Sequence, residues 1–291
     1  MGQDLVAAYP EAQALFEQAD KTLGYPLSQL CFAGPEHALT DTINAQPALV
    51  THSIAVLRAL QAIQPGVSPA FVAGHSLGEY SALVAADVLE FADALKLVRE
   101  RGRVMKEVGE KSPGGIAAII GMDTATLETV CRETGVQIAN YNAPGQIVIA
   151  GEKDALARAI ELAKARGARH VLPIAVSVAA HSRLMAPVAR EFAASVAKTP
   201  MRAPQVPVLS NVTALPLVDV DAIRRELVVQ LTSPVQWIRS IEHIIAQGTT
   251  SFVELGPKDV LARLIRRIHK DAHVVSIGDV ASIKALGSEQ W

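Results

Sequence analysis

The sequence predicts an α/β protein with a mostly parallel core sheet and one small inserted domain. Three observations carry that reading. A G-x-S-x-G run, Gly74-His75-Ser76-Leu77-Gly78, stands between a short apolar stretch (Ala70 to Ala73) and a helical pattern (Gly78 to Ala86). Strand, tight turn and helix is the setting in which that motif makes a nucleophile elbow. Later, residues 112–176 read in the order β-α-β-β-α-β, a split βαβ or ferredoxin-like unit. On either side of that unit, strands alternate with helices, which implies a parallel sheet covered on both faces. The expected boundaries are therefore a discontinuous core, 1–111 and 177–291, and an insert, 112–176.

Taken in order, residues 4–24 carry Leu5, Tyr9, Ala12, Leu15, Phe16 and Ala19 at helical spacing. Pro10 interrupts that helix. Pro26 to Pro35 reads as a break with a short helical turn. A helix opens at Asn44-Ala45-Gln46-Pro47, with Leu49, Ile54, Leu57 and Leu60 on its apolar side, and Pro47 near its first turn. After the elbow, Phe91 to Glu107 is helical.

The insert has strands at Ile116–Ile120, Val136–Tyr141, Gln146–Ala150 and Arg169–Pro173. Its helices start at Asp123 and Glu152, and Asn142-Ala143-Pro144-Gly145 is a turn. In the second core half, helices are expected at 184–197, 219–230, 235–247 and 260–268. Strands are expected at 206–210, 251–255 and 272–276.

The 291 residues are 50% hydrophobic and carry a net charge of −2. There is no basic footprint for nucleic acid, and 4% aromatics provide no stacking surface. No run is apolar and long enough to span a membrane, and no secretory signal is visible. Cys31 and Cys131 read as buried free thiols of a reducing cytoplasm.

Ser76 needs a base to take its proton. Of the eight histidines, His181 stands apart, between an apolar segment and a helix, where a sheet edge carries active-site loops. His75 reads as a structural partner of the turn. His37, His52, His170, His243, His269 and His273 read as surface or helix-end residues. A hydrolase triad would place an acid between serine and histidine in the chain, but Asp123 and Asp154 there read as helix N-caps. A backbone carbonyl orienting the base is the alternative to such a triad. Metal and phosphate-loop motifs are absent.

Gly74-His75-Ser76-Leu77-Gly78-Glu79-Tyr80-Ser81 resembles the active-site signature of malonyl-CoA:acyl carrier protein transacylases. Gln46-Pro47-Ala48-Leu49, Arg101-Gly102 with Met105, Asn140 to Gln146, Val176 to Ser182, Gln230 to Trp237 and Glu254 to Pro257 resemble further motifs of that family, in the same order. The resemblance implies an α/β-hydrolase-like core and assigns roles. Ser76 attacks the thioester of malonyl-CoA, and His181 shuttles the proton. The Gln230 carbonyl holds the second ring nitrogen, and Leu77 N–H donates to the oxyanion. Arg101 clamps the malonyl carboxylate, with Gln46, Met105, Asn142 and His75 around the substrate. It implies a cytoplasmic monomer without cofactor, whose partners are malonyl-CoA and the phosphopantetheine arm of acyl carrier protein, in fatty-acid synthesis. A polyketide-type acyltransferase, a thioester hydrolase and an impaired carrier-protein binder are the alternatives. The family also begins with a strand and a P-G-Q-G-S-Q loop, whose glutamine N–H is the second oxyanion donor. The sequence starts just after that place, so a misassigned start or a clipped chain is expected. Loss of one such donor costs roughly 10²–10³ in rate.

Overall fold

The computed structural model describes residues 1–66, 68–111, 113–174 and 178–286. The first core half is helical: α1 (Gln3–Ala8), α2 (Pro10–Leu23), α3 (Leu27–Ala33), α4 (Glu36–Thr40), α5 (Thr42–Ile63), α6 (Gly78–Ala85) and α7 (Phe91–Lys111). Pro10 separates α1 from α2 as expected, and sits at the first position of α2, where its missing N–H costs nothing. The long helix α5 starts earlier than its sequence suggests. Asp41 caps it by accepting from Ile43 N–H, which leaves Pro47 inside the helix rather than at its start. Ile54 is buried as expected, but Leu49, expected on the same side, is 37% exposed, and Ala48, Val50, Ala55 and Val56 are buried as well. The helix is covered from several directions, by α2, α6 and α7, so a single-stripe reading misplaces that residue.

The insert comprises β1 (Gly114–Ile120), α8 (Thr124–Thr134), β2 (Gln137–Ala143), β3 (Gln146–Glu152), α9 (Lys153–Ala165) and β4 (His170–Ile174). Its antiparallel sheet runs β2-β3-β1-β4, with α8 and α9 packed together and a separate core around Ile119, Leu127, Ile147 and Ile149. Asp123 caps α8 through Thr126 N–H, as expected. Asn142 and Ala143 belong to β2, so the turn is narrower than its composition suggests. The proposed boundary residues 112, 176 and 177 lie outside the described residues.

The chain returns through a 3₁₀ turn (Arg183–Met185) to α10 (Ala186–Lys198). Then follow β5 (Val208–Leu209), β6 (Pro216–Leu217), α11 (Val220–Val229), a 3₁₀ turn (Gln230–Thr232), α12 (Trp237–Ala246), β7 (Ser251–Leu255), α13 (Val260–Ile268), β8 (His273–Ile277) and α14 (Val280–Leu286). Parallel pairing occurs between β7 and β8 and at the bridge from Val72 to Val208. The expected strand 70–73 is reduced to that bridge. Val72 N–H donates to Pro207 O and Leu209 N–H to Val72 O, so among the described residues one edge of this segment is laddered. Phe71, Ala73 and Phe252 pack against the cluster of Trp237, Ile241 and Ile244, while Val72, Leu255 and Val275 pack against the main helical core. Both sheet pieces thus lie between the same two apolar layers, with Ser76 at the end of one of them.

His52 is not the surface residue its sequence suggests. It lies on α5, 2% exposed, beside Gly2, and its Nδ1 has no hydrogen-bond partner among the described residues. Burial, helped by the nearby N-terminal ammonium, lowers its pKa from 6.5 to about 4. The unfolded chain therefore binds this proton more readily, so stability falls as pH drops below 6.5 and the loss saturates below the folded value. Between about pH 7 and pH 5, unfolding free energy is expected to fall by about 2 kcal/mol more in the wild type than in His52→Gln. Urea titrations at the two pH values measure it; an equal pH dependence in both proteins refutes it.

Candidate active site

The elbow forms where the motif predicted it. Ser76 has φ 52°, a left-handed conformation that costs a non-glycine residue roughly 1–3 kcal/mol. The two motif glycines are not equivalent. A Cβ on Gly74 would stand 2.0 Å from the backbone of Gly78, whereas a Cβ on Gly78 would meet nothing within 4 Å. Gly74 is the position that the close approach demands, while nothing within reach bars a side chain at Gly78.

Asn211 holds the strained turn, a role its sequence did not reveal. Its Oδ1 accepts from Ser76 N–H at 2.6 Å and its Nδ2 donates to Gly74 O at 2.7 Å. It follows β5, which is bridged to the segment leading into the elbow, so strand adjacency places it there. The sequence signal was only an asparagine ending an apolar run. Because Ser76 N–H is engaged, the free donor at this helix start is Leu77 N–H, which makes no hydrogen bond among the described residues.

His181 reaches the serine. Its Nε2 lies 2.8 Å from Ser76 Oγ, and its Nδ1 lies 2.8 Å from Gln230 O and 3.2 Å from Ser233 O. Two carbonyls facing Nδ1 require a proton there, which leaves Nε2 as an acceptor for the serine hydroxyl. The ring is 5% exposed. Burial first, then the neighbouring Arg101 charge, lower its pKa to about 3. The imidazole is therefore neutral at neutral pH, the state a general base needs. Ser233 is a second orienting residue that sequence reading missed.

Arg101 converges on the same hydroxyl from α7. Its Nη2 donates to Ser76 Oγ at 3.0 Å and Gln230 Oε1 at 3.1 Å, and its Nη1 donates to Gln46 Oε1 at 2.8 Å. It is 2% exposed and its Nε has no hydrogen-bond partner among the described residues. Among the described residues no carboxylate forms an ion pair with it, and the Tyr80 ring lies 5.6 Å from its guanidinium carbon. A buried guanidinium without a contacting anion is costly unless an acidic ligand completes it.

The remaining predicted residues divide into two groups. Gln46 and Met105 serve Arg101: Gln46 Nε2 donates to Thr42 Oγ1 at 2.9 Å and approaches Met105 Sδ at 3.6 Å, which fixes the amide with its oxygen toward the guanidinium. His75 and Asn142 instead join the elbow to the insert. His75 Nε2 lies 2.8 Å from Asn142 Oδ1, and its ring packs against Trp237. Among the described residues no cluster of histidine, cysteine or acidic side chains is suited to a metal ion.

A strained serine, an imidazole held by carbonyls and a free helix N–H are the parts that serine-dependent acyl transfer requires. The chain matches the Acyl transferase domain family over residues 1–288, and it belongs to that family. It is 46% identical to the malonyl CoA-acyl carrier protein transacylase of Escherichia coli, over 91% of this chain and 87% of that one. It is 44% identical to the enzyme of the same name from Bacillus subtilis, over 98% of this chain and 90% of that one. Among solved structures, an acyl carrier protein S-malonyltransferase from Vibrio cholerae superposes with a TM-score of 0.95 at 41% identity, covering 98% of this chain and 94% of the other. A malonyl-transacylase in complex with its type II PKS acyl-carrier protein also superposes with a TM-score of 0.95, at 40% identity, covering 98% and 93%.

Proposed function

We propose that this chain transfers the malonyl group of malonyl-CoA to the phosphopantetheine thiol of an acyl carrier protein, through a malonyl ester on Ser76, and so supplies fatty-acid synthesis. One observation carries the choice of acyl group: the buried Arg101 guanidinium, unpaired with any carboxylate in contact, donates to the very hydroxyl that His181 faces. A planar fork of this kind binds a carboxylate bidentately, which an acetyl group cannot offer.

In the first half-reaction, Ser76 Oγ attacks the thioester carbonyl as its proton passes to His181 Nε2. The developing oxyanion receives Leu77 N–H. Collapse breaks the C–S bond, and the leaving thiol of CoA takes the proton back from His181. In the second half, the carrier's thiol gives its proton to His181 and attacks the ester carbonyl; Ser76 leaves as the hydroxyl once that proton returns to it. Gln230 O holds the imidazole in place throughout. In this reading the chain acts as a cytoplasmic monomer. Among the described residues, no helix is long and apolar enough to cross a membrane.

Intact mass spectrometry after mixing with malonyl-CoA tests the reading. A malonyl adduct is expected on the wild type and not on Ser76→Ala, and it should disappear when phosphopantetheinylated acyl carrier protein is added, with a matching gain on the carrier. Repeated turnover of malonyl-CoA without a carrier would show a thioester hydrolase, and no adduct would show a carrier-protein binder without transfer activity.

A further inference from the structure

Beneath the elbow lies a buried acidic pair that the reaction scheme does not use. Glu79, on α6, is 0% exposed, and Glu226, on α11, is 6% exposed. Their surroundings differ. Glu226 is richly supplied with donors: Ser210 Oγ donates to its Oε2 at 2.7 Å and Val212 N–H to its Oε1 at 3.0 Å. Glu79 Oε2 accepts from Gln230 Nε2 at 2.7 Å, but its Oε1 is buried and has no hydrogen-bond partner among the described residues. An ionised Glu79 would leave charge on an oxygen shut off from bulk solvent and without a donor among the described residues, whereas a protonated Glu79 would place its O–H there.

Gln230 is the residue this pair touches, and its amide has two distinguishable ends. Nε2 donates to Glu79 Oε2 and to Ser76 O at 3.1 Å; Oε1 accepts from Arg101 Nη2. Were the amide flipped, its NH₂ would face the guanidinium, donor against donor, and its oxygen would face Ser76 O. Its main chain also holds His181. The orientation of one amide thus couples Arg101 to the catalytic backbone.

We propose that Glu79 is a positioning residue: it is protonated, the neutral one of the two buried carboxyls, and by accepting from Gln230 fixes that amide with its oxygen toward Arg101. The pair faces Gln230, the Asn211 backbone N–H, Ser210, Val212 and the Arg101 charge. Burial raises the pKa of both carboxyls, that of Glu79 well above its ordinary value, in spite of Arg101. The pair then carries one negative charge, on Glu226, against the one positive charge of Arg101. This inference rests on the malonyl-transfer reading only for its activity readout.

The proton itself is read by infrared difference spectroscopy at neutral pH. Wild type minus Glu79→Gln should show the C=O band of a protonated carboxylic acid; its absence would overturn the proposal. The positioning role is read from the ratio of kcat/KM for malonyl-CoA to that for acetyl-CoA. Glu79→Gln preserves a neutral side chain with an accepting oxygen, so the ratio should stay within about threefold of wild type. Glu79→Leu removes the acceptor, so the ratio should fall by about tenfold or more. If Glu79→Gln falls as far as Glu79→Leu, the charge matters and the neutral assignment is wrong. If Glu79→Leu keeps the ratio, Gln230 is not fixed through Glu79. Should Glu79→Leu fail to fold, the spectrum and the Glu79→Gln ratio still decide. A wild type with no malonyl preference would sink the proposed function, while the band would still report the proton.

Discussion

His181→Ala is expected to lose about 10⁴-fold in kcat/KM for malonyl-CoA, with little change in the affinity for substrate. The serine hydroxyl is a weak nucleophile, and in this site Nε2 of His181 is the base within 2.8 Å of it. The same ring protonates the departing thiol, so its removal slows both the attack and the collapse of the intermediate. Arg101 and its anchor Gln46 do not touch the imidazole, so recognition of the acyl carboxylate should survive the substitution. Single-turnover acylation followed by intact mass measures the effect. A loss below about tenfold would assign the base to another group.

The pH dependence of the same residue has a defined sign. Burial and the Arg101 charge hold the free enzyme's imidazole near pKa 3, so the acid limb of kcat/KM should lie well below 6.5. Once a carboxylate offsets the Arg101 charge, one of the two lowering causes weakens and the ring becomes more basic. In this scheme the malonyl carboxylate makes His181 a better base as the substrate arrives. The acid limb of kcat should therefore lie at higher pH than that of kcat/KM.

The parts of this site that were legible in the sequence are those whose chemistry is local. Gly74-x-Ser76 announces the elbow because the approach of Gly78's backbone permits no side chain at Gly74. The insert was legible through its own periodicity, and its strand order depends only on its own elements. Asn211 was not legible, because it acts on Ser76 across 135 residues and through the pairing of two strands that are only bridges or dipeptides long. The role of Glu79 was hidden for a related reason: it sits inside the recognised motif, but its partner Glu226 lies on a helix that nothing in the sequence sets beside it. The short elements α4 and α14 were missed because five and seven residues give too little apolar repeat to register. His52 shows the converse: a helix covered from several sides buries polar residues that a one-stripe pattern leaves in water.

Arg101→Ala is expected to collapse the preference for malonyl-CoA. Truncating one partner of a buried charged pair costs roughly 2–5 kcal/mol, so kcat/KM for malonyl-CoA should fall by roughly 30- to 4,000-fold. Acetyl-CoA offers no carboxylate, so its rate should move by less than about tenfold, the residual change reflecting the lost hydrogen bonds to Ser76 Oγ and Gln230 Oε1. Arg101→Lys should not restore selectivity, because an ammonium is a point charge that cannot hold Gln46 and Gln230 with two separate nitrogens while presenting a planar fork. Arg101→Ala, unlike Arg101→Lys, also removes the positive charge that lowers His181's pKa, so with it the acid limb of the acetyl-CoA reaction should move toward higher pH. Parallel pH profiles with malonyl-CoA and acetyl-CoA test both effects in one experiment. An unchanged malonyl preference would remove Arg101 from substrate recognition, and with it the reason for reading this site as specific for a dicarboxylic acyl group.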